Sequence, residues 1–143
     1  MFTRSRTAQT ASPTTAARRR NSASPSLSEM LLTTPKLGEH ISGAILFDET
    51  IRQKTKDGVP FAKYLTQNGI IPGIKVDKGT HALAGFPGEL VTEGLDGLRA
   101  RLEEYYKLGA RFAKWRAVIN IGDDIPTGTA IEANSHALAR YAA

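Results

Sequence analysis

There is no cysteine in the 143 residues, so disulfides, thiolate metal sites and a cysteine nucleophile are all excluded. Long apolar runs are also missing: none approaches the roughly 20 residues that a membrane-spanning helix needs, and no membrane partner is expected. Histidine is scarce. His40, His81 and His136 are far apart in the chain and show no metal-ligand spacing, so each is read as a surface or loop residue. Acidic residues are nearly absent from one part only. Residues 1–29 hold five arginines (Arg4, Arg6, Arg18, Arg19, Arg20) against Glu29, a balance of +4, whereas residues 30–143 hold 14 Lys/Arg against 13 Asp/Glu, a balance of +1. The basic pI of 9.7 therefore belongs to the leader and says little about the folded part.

Large apolar side chains are equally rare at the start. Residues 1–28 contain only Met1, Phe2 and Leu27 in a background of Ser, Thr, Ala, Arg and Pro, too few to offset the entropy of ordering the segment. The expectation is a disordered leader over residues 1–29. Its composition suits an organellar transit peptide, a nucleic-acid contact through Arg18–Arg20, or out-of-frame translation. Nucleic acid is the weakest of these.

From Met30 onward a strand–helix rhythm begins. "GAILF" (43–47) reads as a strand. "PFAKYLTQNG" (60–69) reads as a helix with Pro60 at its start and Gly69 as its stop. "IIPGIKVD" (70–77) is a second strand and "KGTHALAGFPGE" (78–89) a loop. Leu95, Leu98, Leu102 and Tyr105 recur at helical spacing, with Arg99 and Glu103 placed to pair on the outer side, and Gly109 ends that helix. "ARFAKWRAVIN" (110–120) is a third strand. "PTGTAIEANSHALARYA" is a closing helix with Ile131, Asn134, Leu138 and Tyr141 on one stripe, and Asp123 and Asp124 are placed to serve its N-terminus. Apolar strands alternating with helices imply an α/β fold, a parallel sheet covered on both faces.

Charge appears where such folds keep function, at the carboxyl ends of strands. Side chains two apart on a strand share a face. Lys75 and Asp77 in "GIKVDKG" therefore lie together, with Lys78 beyond, and so do Lys114 and Arg116 in "FAKWR". If the two strands are neighbours, Lys75, Asp77, Lys114 and Arg116 converge on a site suited to a dianion, since guanidinium and ammonium groups match phosphate oxygens in charge and geometry. Solvated charges at strand ends are the plainer alternative. The glycines of "HALAGFPGE" make no phosphate-binding fingerprint.

The strings "GIKVDKG", "TEGLDGL" and "FAKWR", in this order and spacing, resemble class I fructose-bisphosphate aldolase, and "GAILFDET" and "ALARYA" strengthen the match. The resemblance covers residues 30–143. It implies a partial (β/α)8 TIM barrel of about three of eight strand–helix units. It also implies a cytoplasmic lyase of glycolysis that cleaves fructose 1,6-bisphosphate to dihydroxyacetone phosphate and glyceraldehyde 3-phosphate through a lysine Schiff base. No metal or other cofactor takes part, the substrate is a sugar bisphosphate, and the intact family assembles as homo-oligomers. By motif, Lys75 corresponds to the substrate-phosphate lysine, Lys114 to the catalytic lysine near the bond that breaks, and Arg116 to its cationic neighbour. Asp77 is assigned to orienting the lysines on alternation alone.

Three family strings are missing: an early strand like "LAADES", an acid/base strand like "IVEPE", and the Schiff-base motif like "LLKPN". The expectation is a truncated chain, inactive alone, with a non-catalytic phosphate-binding or barrel-complementing fragment as the alternative. The leader stands in place of the first strand and not ahead of it, which favours out-of-frame translation over a transit peptide. A genuine transit peptide would move the location to an organelle.

Overall fold

The computed structural model describes residues 26–143. The reading of the leader therefore falls mostly outside the described residues. Its last part lies within them: Ser26 caps a short helix α1 (Leu27–Leu32) by accepting from the Glu29 N–H at 3.1 Å. A single 3₁₀ turn (Leu37–Glu39) then leads to β1 (Gly43–Leu46).

Three strands pair in parallel in the order β1–β2–β5, where β2 is Ile71–Lys75 and β5 is Phe112–Lys114. Short α2 (Asp48–Ile51) and α3 (Phe61–Gln67) connect β1 to β2, and α4 (Leu98–Leu108) leads into β5. Helices α3 and α4 end by the same device. Gly69 and Gly109 have φ of +75° and +113°. The next residue's N–H reaches back in each case, Ile70 to the Leu65 carbonyl and Ala110 to the Tyr105 carbonyl, each at 2.9 Å. This is the glycine-terminated cap that satisfies the last helical carbonyls. Each helix is thereby turned directly into the strand that follows, as the positions of the two glycines predict.

Alternation along the strands separates two faces. One face carries Leu46, Ile74, Val76 and Trp115, all buried, and packs against Ile51 of α2, Ala62 and Leu65 of α3, Leu98 and Tyr105 of α4, and Ala137 of the last helix. That face holds the core. The other face is open: Ile45, Phe47, Ile71 and Phe112 are 49%, 62%, 51% and 40% exposed. The expectation of a sheet covered on both faces therefore fails on one side, because the helices bury their apolar residues against the opposite side. Positions 43 and 73 contribute no side chain there. The Phe112 ring lies in the space that a side chain at Gly73 would need.

Three sequence expectations change. The "loop" at 78–89 contains β3 (Thr80–Ala82), which pairs antiparallel with β4 (Leu90–Thr92) to make a hairpin at the end of β2. Too few apolar residues alternate there for the period to reveal it. The third strand shrinks from 110–120 to Phe112–Lys114, because its partner β2 ends at Lys75 and the Arg116 N–H is taken by the Asp77 side chain instead of a ladder partner. The closing helix α5 (Gly128–Ala142) buries Ala130, Asn134 and Ala137, with Tyr141 packed alongside, while Ile131 and Leu138 are exposed. Small residues face inward because α5 lies close against β4. Asn134 is the reason: its Oδ1 accepts from the Thr92 N–H, and its Nδ2 donates to the carbonyls of Leu90 and Ala130.

Two electrostatic expectations also change. Arg99 and Glu103 form no ion pair among the described residues. The cross-link at this helix is Arg52, which donates to Asp48 on α2 and to Glu104 on α4. Nor do Asp123 and Asp124 serve the start of α5. Its cap is Thr127, held by Glu89.

Candidate active site

The site is built at the carboxyl end of the sheet. Lys75 is the last residue of β2 and stands in register with Lys114, the last residue of β5. Partners in a parallel ladder point to the same side, so both ammonium groups leave from the open face. Asp77 follows two residues on. Its carboxylate is almost fully buried while the Lys75 side chain is one-quarter exposed.

Lys75 Nζ lies 2.5 Å from Asp77 Oδ1 and donates also to the Asp77 carbonyl at 3.2 Å. The same carboxylate accepts from the Gly79 N–H at Oδ1 and from the Arg116 N–H at Oδ2. Asp77 thus ties three points together: the end of β2, the start of the hairpin and the exit of β5. Burial on its own raises the Asp77 carboxyl. The hydrogen bond and charge of Lys75, helped by the N–H groups of Arg116 and Gly79, outweigh it and leave the group below the usual carboxylate range. Phe47, just past β1, places its ring 5.9 Å from Lys75 Nζ, at the outer limit of a cation–π contact.

Arg116 is held by its backbone. Its N–H goes to Asp77, and its carbonyl accepts from the Thr92 hydroxyl at 2.8 Å, while the side chain is exposed. The guanidinium is free to meet a ligand from a fixed root. Lys114 is half-buried and its carbonyl accepts from the Val76 N–H at 3.1 Å.

Lys75 and Asp77 line a cleft of about 390 Å³ together with Phe47, Asp48, Arg52, Lys78, Arg101, Glu104 and Tyr105. Lys114 and Arg116 do not line this cleft. The structure therefore joins Lys75 to Asp77 directly, joins Arg116 to them through the main chain, and sets Lys114 beside Lys75 on the sheet. Arg52 holds the carboxyls of Asp48 and Glu104 below their usual range through direct hydrogen bonds. Burial, with Asp48 beside it, pushes the Tyr105 phenol up. A larger hollow of about 600 Å³ lies between the start of α4 and the end of α5. It lies away from the strand ends and contains no acid–base pair, so size does not mark the site.

Four residues that matter here give no sign in the sequence of what they bond. Thr92, Arg101, Glu89 and Asn134 each act through a partner distant in sequence, at separations of 24 to 44 residues. Thr92 and Gly94 lie inside "TEGLDGL" and Asn134 on the stripe of the closing helix, but the sequence does not show what these residues bond. Among the described residues, no group of three His, Asp or Glu side chains is arranged to hold a metal ion, and no helix is long and apolar enough to cross a membrane.

Comparison with known proteins identifies the family. The family model for fructose-bisphosphate aldolase class-I matches residues 15–143, beginning upstream of Met30. A probable fructose-bisphosphate aldolase class 1 of Xanthomonas axonopodis pv. citri (strain 306) is 86% identical over 115 residues, covering 80% of this chain and 34% of that protein. Cytosolic fructose-bisphosphate aldolase 5 of Arabidopsis thaliana is 58% identical over 116 residues, covering 81% of this chain and 32% of that protein. Among solved structures, the Plasmodium falciparum fructose-bisphosphate aldolase in complex with TRAP and a small-molecule inhibitor matches with a TM-score of 0.77 at 50% identity. That match covers 80% of this chain and 34% of the other. The chain spans about a third of the length of these relatives. It is a member of the class I fructose-bisphosphate aldolase family.

Proposed function

We propose that Lys75, Lys114 and Arg116 bind a sugar bisphosphate, with Asp77 orienting Lys75, and that this chain is a portion of a (β/α)8 barrel whose activity is the cleavage of fructose 1,6-bisphosphate to two triose phosphates. The observation that carries the reading is the register of Lys75 with Lys114 at the ends of adjacent parallel strands, with the Arg116 backbone tied to the Asp77 that pairs Lys75. Lys75 takes a phosphate. Lys114 stands near the bond that breaks, and Arg116 adds positive charge beside it. Fixed donors aimed at developing negative charge stabilise a transition state more than mobile ones, because no reorganisation is needed during reaction. The nucleophilic lysine of the family belongs to a motif this sequence does not contain, so the role of these residues is to bind and polarise.

Family membership supports the barrel, a homo-oligomeric assembly of the intact form, and the lyase activity. The relatives named cytosolic and cytoplasmic support a cytoplasmic location. A barrel-complementing role is favoured by a separate observation, the apolar open face with Ile45, Phe47, Ile71 and Phe112 exposed.

Titration calorimetry with fructose 1,6-bisphosphate tests the site. Binding that weakens at least roughly tenfold in Lys75→Ala and in Lys114→Ala is the expected result. Binding unchanged in both, or absent at millimolar ligand, overturns it. Borohydride trapping with dihydroxyacetone phosphate separates binding from nucleophilic chemistry. No covalent adduct is expected, and an adduct would assign the nucleophile to this chain.

A further inference from the structure

We propose that Arg101 and Gly94 are positioning residues that hold the backbone at the end of β2 and thereby set where Lys75 and Asp77 stand. The functional meaning of this latch rests on the phosphate-site reading above.

Arg101 lies in the first turns of α4, yet its guanidinium is spent on two distant carbonyls. Nη1 donates to Val76 at 3.0 Å and Nη2 donates to Gly94. Val76 sits between Lys75 and Asp77, and its N–H already donates to the Lys114 carbonyl. The peptide groups on either side of Val76 are thus fixed by different elements, one by β5 and one by α4. Side chains leaving from Lys75 and Asp77 inherit that rigidity. The Val76 carbonyl lies one residue past the end of β2, where the ladder with β5 no longer supplies a partner, and Arg101 supplies it.

Gly94 works from the other side. Its φ is +132°, and a Cβ there would come within 2.9 Å of the Lys78 nitrogen and 3.1 Å of the Asp77 Cα. Only a residue without a side chain lets this backbone lie against the Asp77–Lys78 peptide while offering its carbonyl to Arg101. The Gly79 carbonyl and the Glu93 carbonyl complete the join, accepting from Glu93 and Lys78. Arginine is suited to the task because its planar fork reaches two acceptors in a fixed relation, which a lysine ammonium does not. Each terminal nitrogen gives one bond to a carbonyl, so Arg101 lines the cleft with its fork anchored to the backbone. It acts through Lys75 and Asp77.

The test uses the full chain as wild type, Arg101→Gln, Arg101→Lys and Gly94→Ala, each checked for fold by circular dichroism. Two quantities are read: the pH midpoint of the Asp77 carboxyl by carbon NMR, and the affinity for fructose 1,6-bisphosphate. In folded Arg101→Gln and Gly94→Ala, the Asp77 midpoint is expected to rise toward the ordinary value and affinity to fall roughly tenfold, the loss of one well-placed charged contact. Arg101→Lys is expected to restore part of both. An unmoved Asp77 midpoint in either folded variant overturns the latch. A moved midpoint in a chain whose wild type binds no bisphosphate keeps the latch and defeats the phosphate reading. One measurement needs no variant. Wild-type Arg101 should show resolved, slowly exchanging guanidinium protons, and rapid exchange at that group overturns the proposal even if every variant fails to fold.

Discussion

Glu89 holds Thr127 with both oxygens of one buried carboxylate: Oε1 accepts the backbone N–H and Oε2 accepts the hydroxyl, each at 2.7 Å. Thr127 in turn caps α5 by accepting from the Ala130 N–H. One acidic side chain from the turn of the β3–β4 hairpin therefore fixes the start of a helix 38 residues later. Negative charge at a helix N-terminus is favourable, and here it also joins two elements that flank the site.

Truncating that carboxylate leaves the part-buried Thr127 N–H and hydroxyl without their acceptor. Glu89→Ala is expected to lower unfolding free energy by about 2 kcal/mol, read as a lower urea midpoint. Asp123→Ala and Asp124→Ala, which touch no cap, are expected to stay within about 0.5 kcal/mol of wild type. Equal losses at Glu89 and Asp124 would show that the cap is shared.

The Phe112 ring occupies the space over Gly73. Gly73→Ala is expected to push the part-exposed Phe112 ring aside and to destabilise by no more than about 1 kcal/mol. Phe112→Ala should recover most of that loss in the double variant, because it removes the atom group in conflict. Simple additivity of the two single changes would refute the clash.

Asp77 titrates below the ordinary carboxylate range in the folded chain. Its contribution to stability is therefore complete above the unfolded-state value of about 3.9 and is lost as pH falls through the lower folded value. Denaturant melts should show a decline beginning near pH 4 that is shallower in Asp77→Asn. An identical acid profile in that variant would mean the Lys75 pair does not form.

Tyr141 gives the opposite sign. Its hydroxyl donates to the Ala113 carbonyl at 2.7 Å, its ring lies 5.5 Å from that of Trp115, and burial pushes the phenol up. The stabilisation is present below the unfolded value of about 10 and is lost as pH rises toward the folded one. Tyr141→Phe is expected to cost about 1 kcal/mol at neutral pH and to remove this alkaline loss. A phenol titration in the folded chain centred at the free-tyrosine value would contradict the burial.

Local chemistry determined much of this protein in advance. Gly69 and Gly109 stop their helices where the pattern says, because a positive φ is open to glycine and the next strand must begin at once. Leu95, Leu98, Leu102 and Tyr105 face the core as their spacing requires. The motifs around Lys75 and Lys114 named the family, and alternation alone put Lys75 beside Asp77.

Tertiary structure decided the rest. The spacing on α5 pointed to Ile131, Asn134, Leu138 and Tyr141. Asn134 and Tyr141 do face inward, but Ala130 and Ala137 replace Ile131 and Leu138, since α5 must come near enough to β4 for Asn134 to bond the hairpin backbone. Glu89, Thr92 and Arg101 carry no periodic signal, because each is chosen by a partner dozens of residues away. Arg116 shows the division most clearly. Its position two residues after Lys114 is written in the chain, whereas the carboxylate and the hydroxyl that hold its backbone come from Asp77 and Thr92. Those bonds exist only once three separate elements have packed.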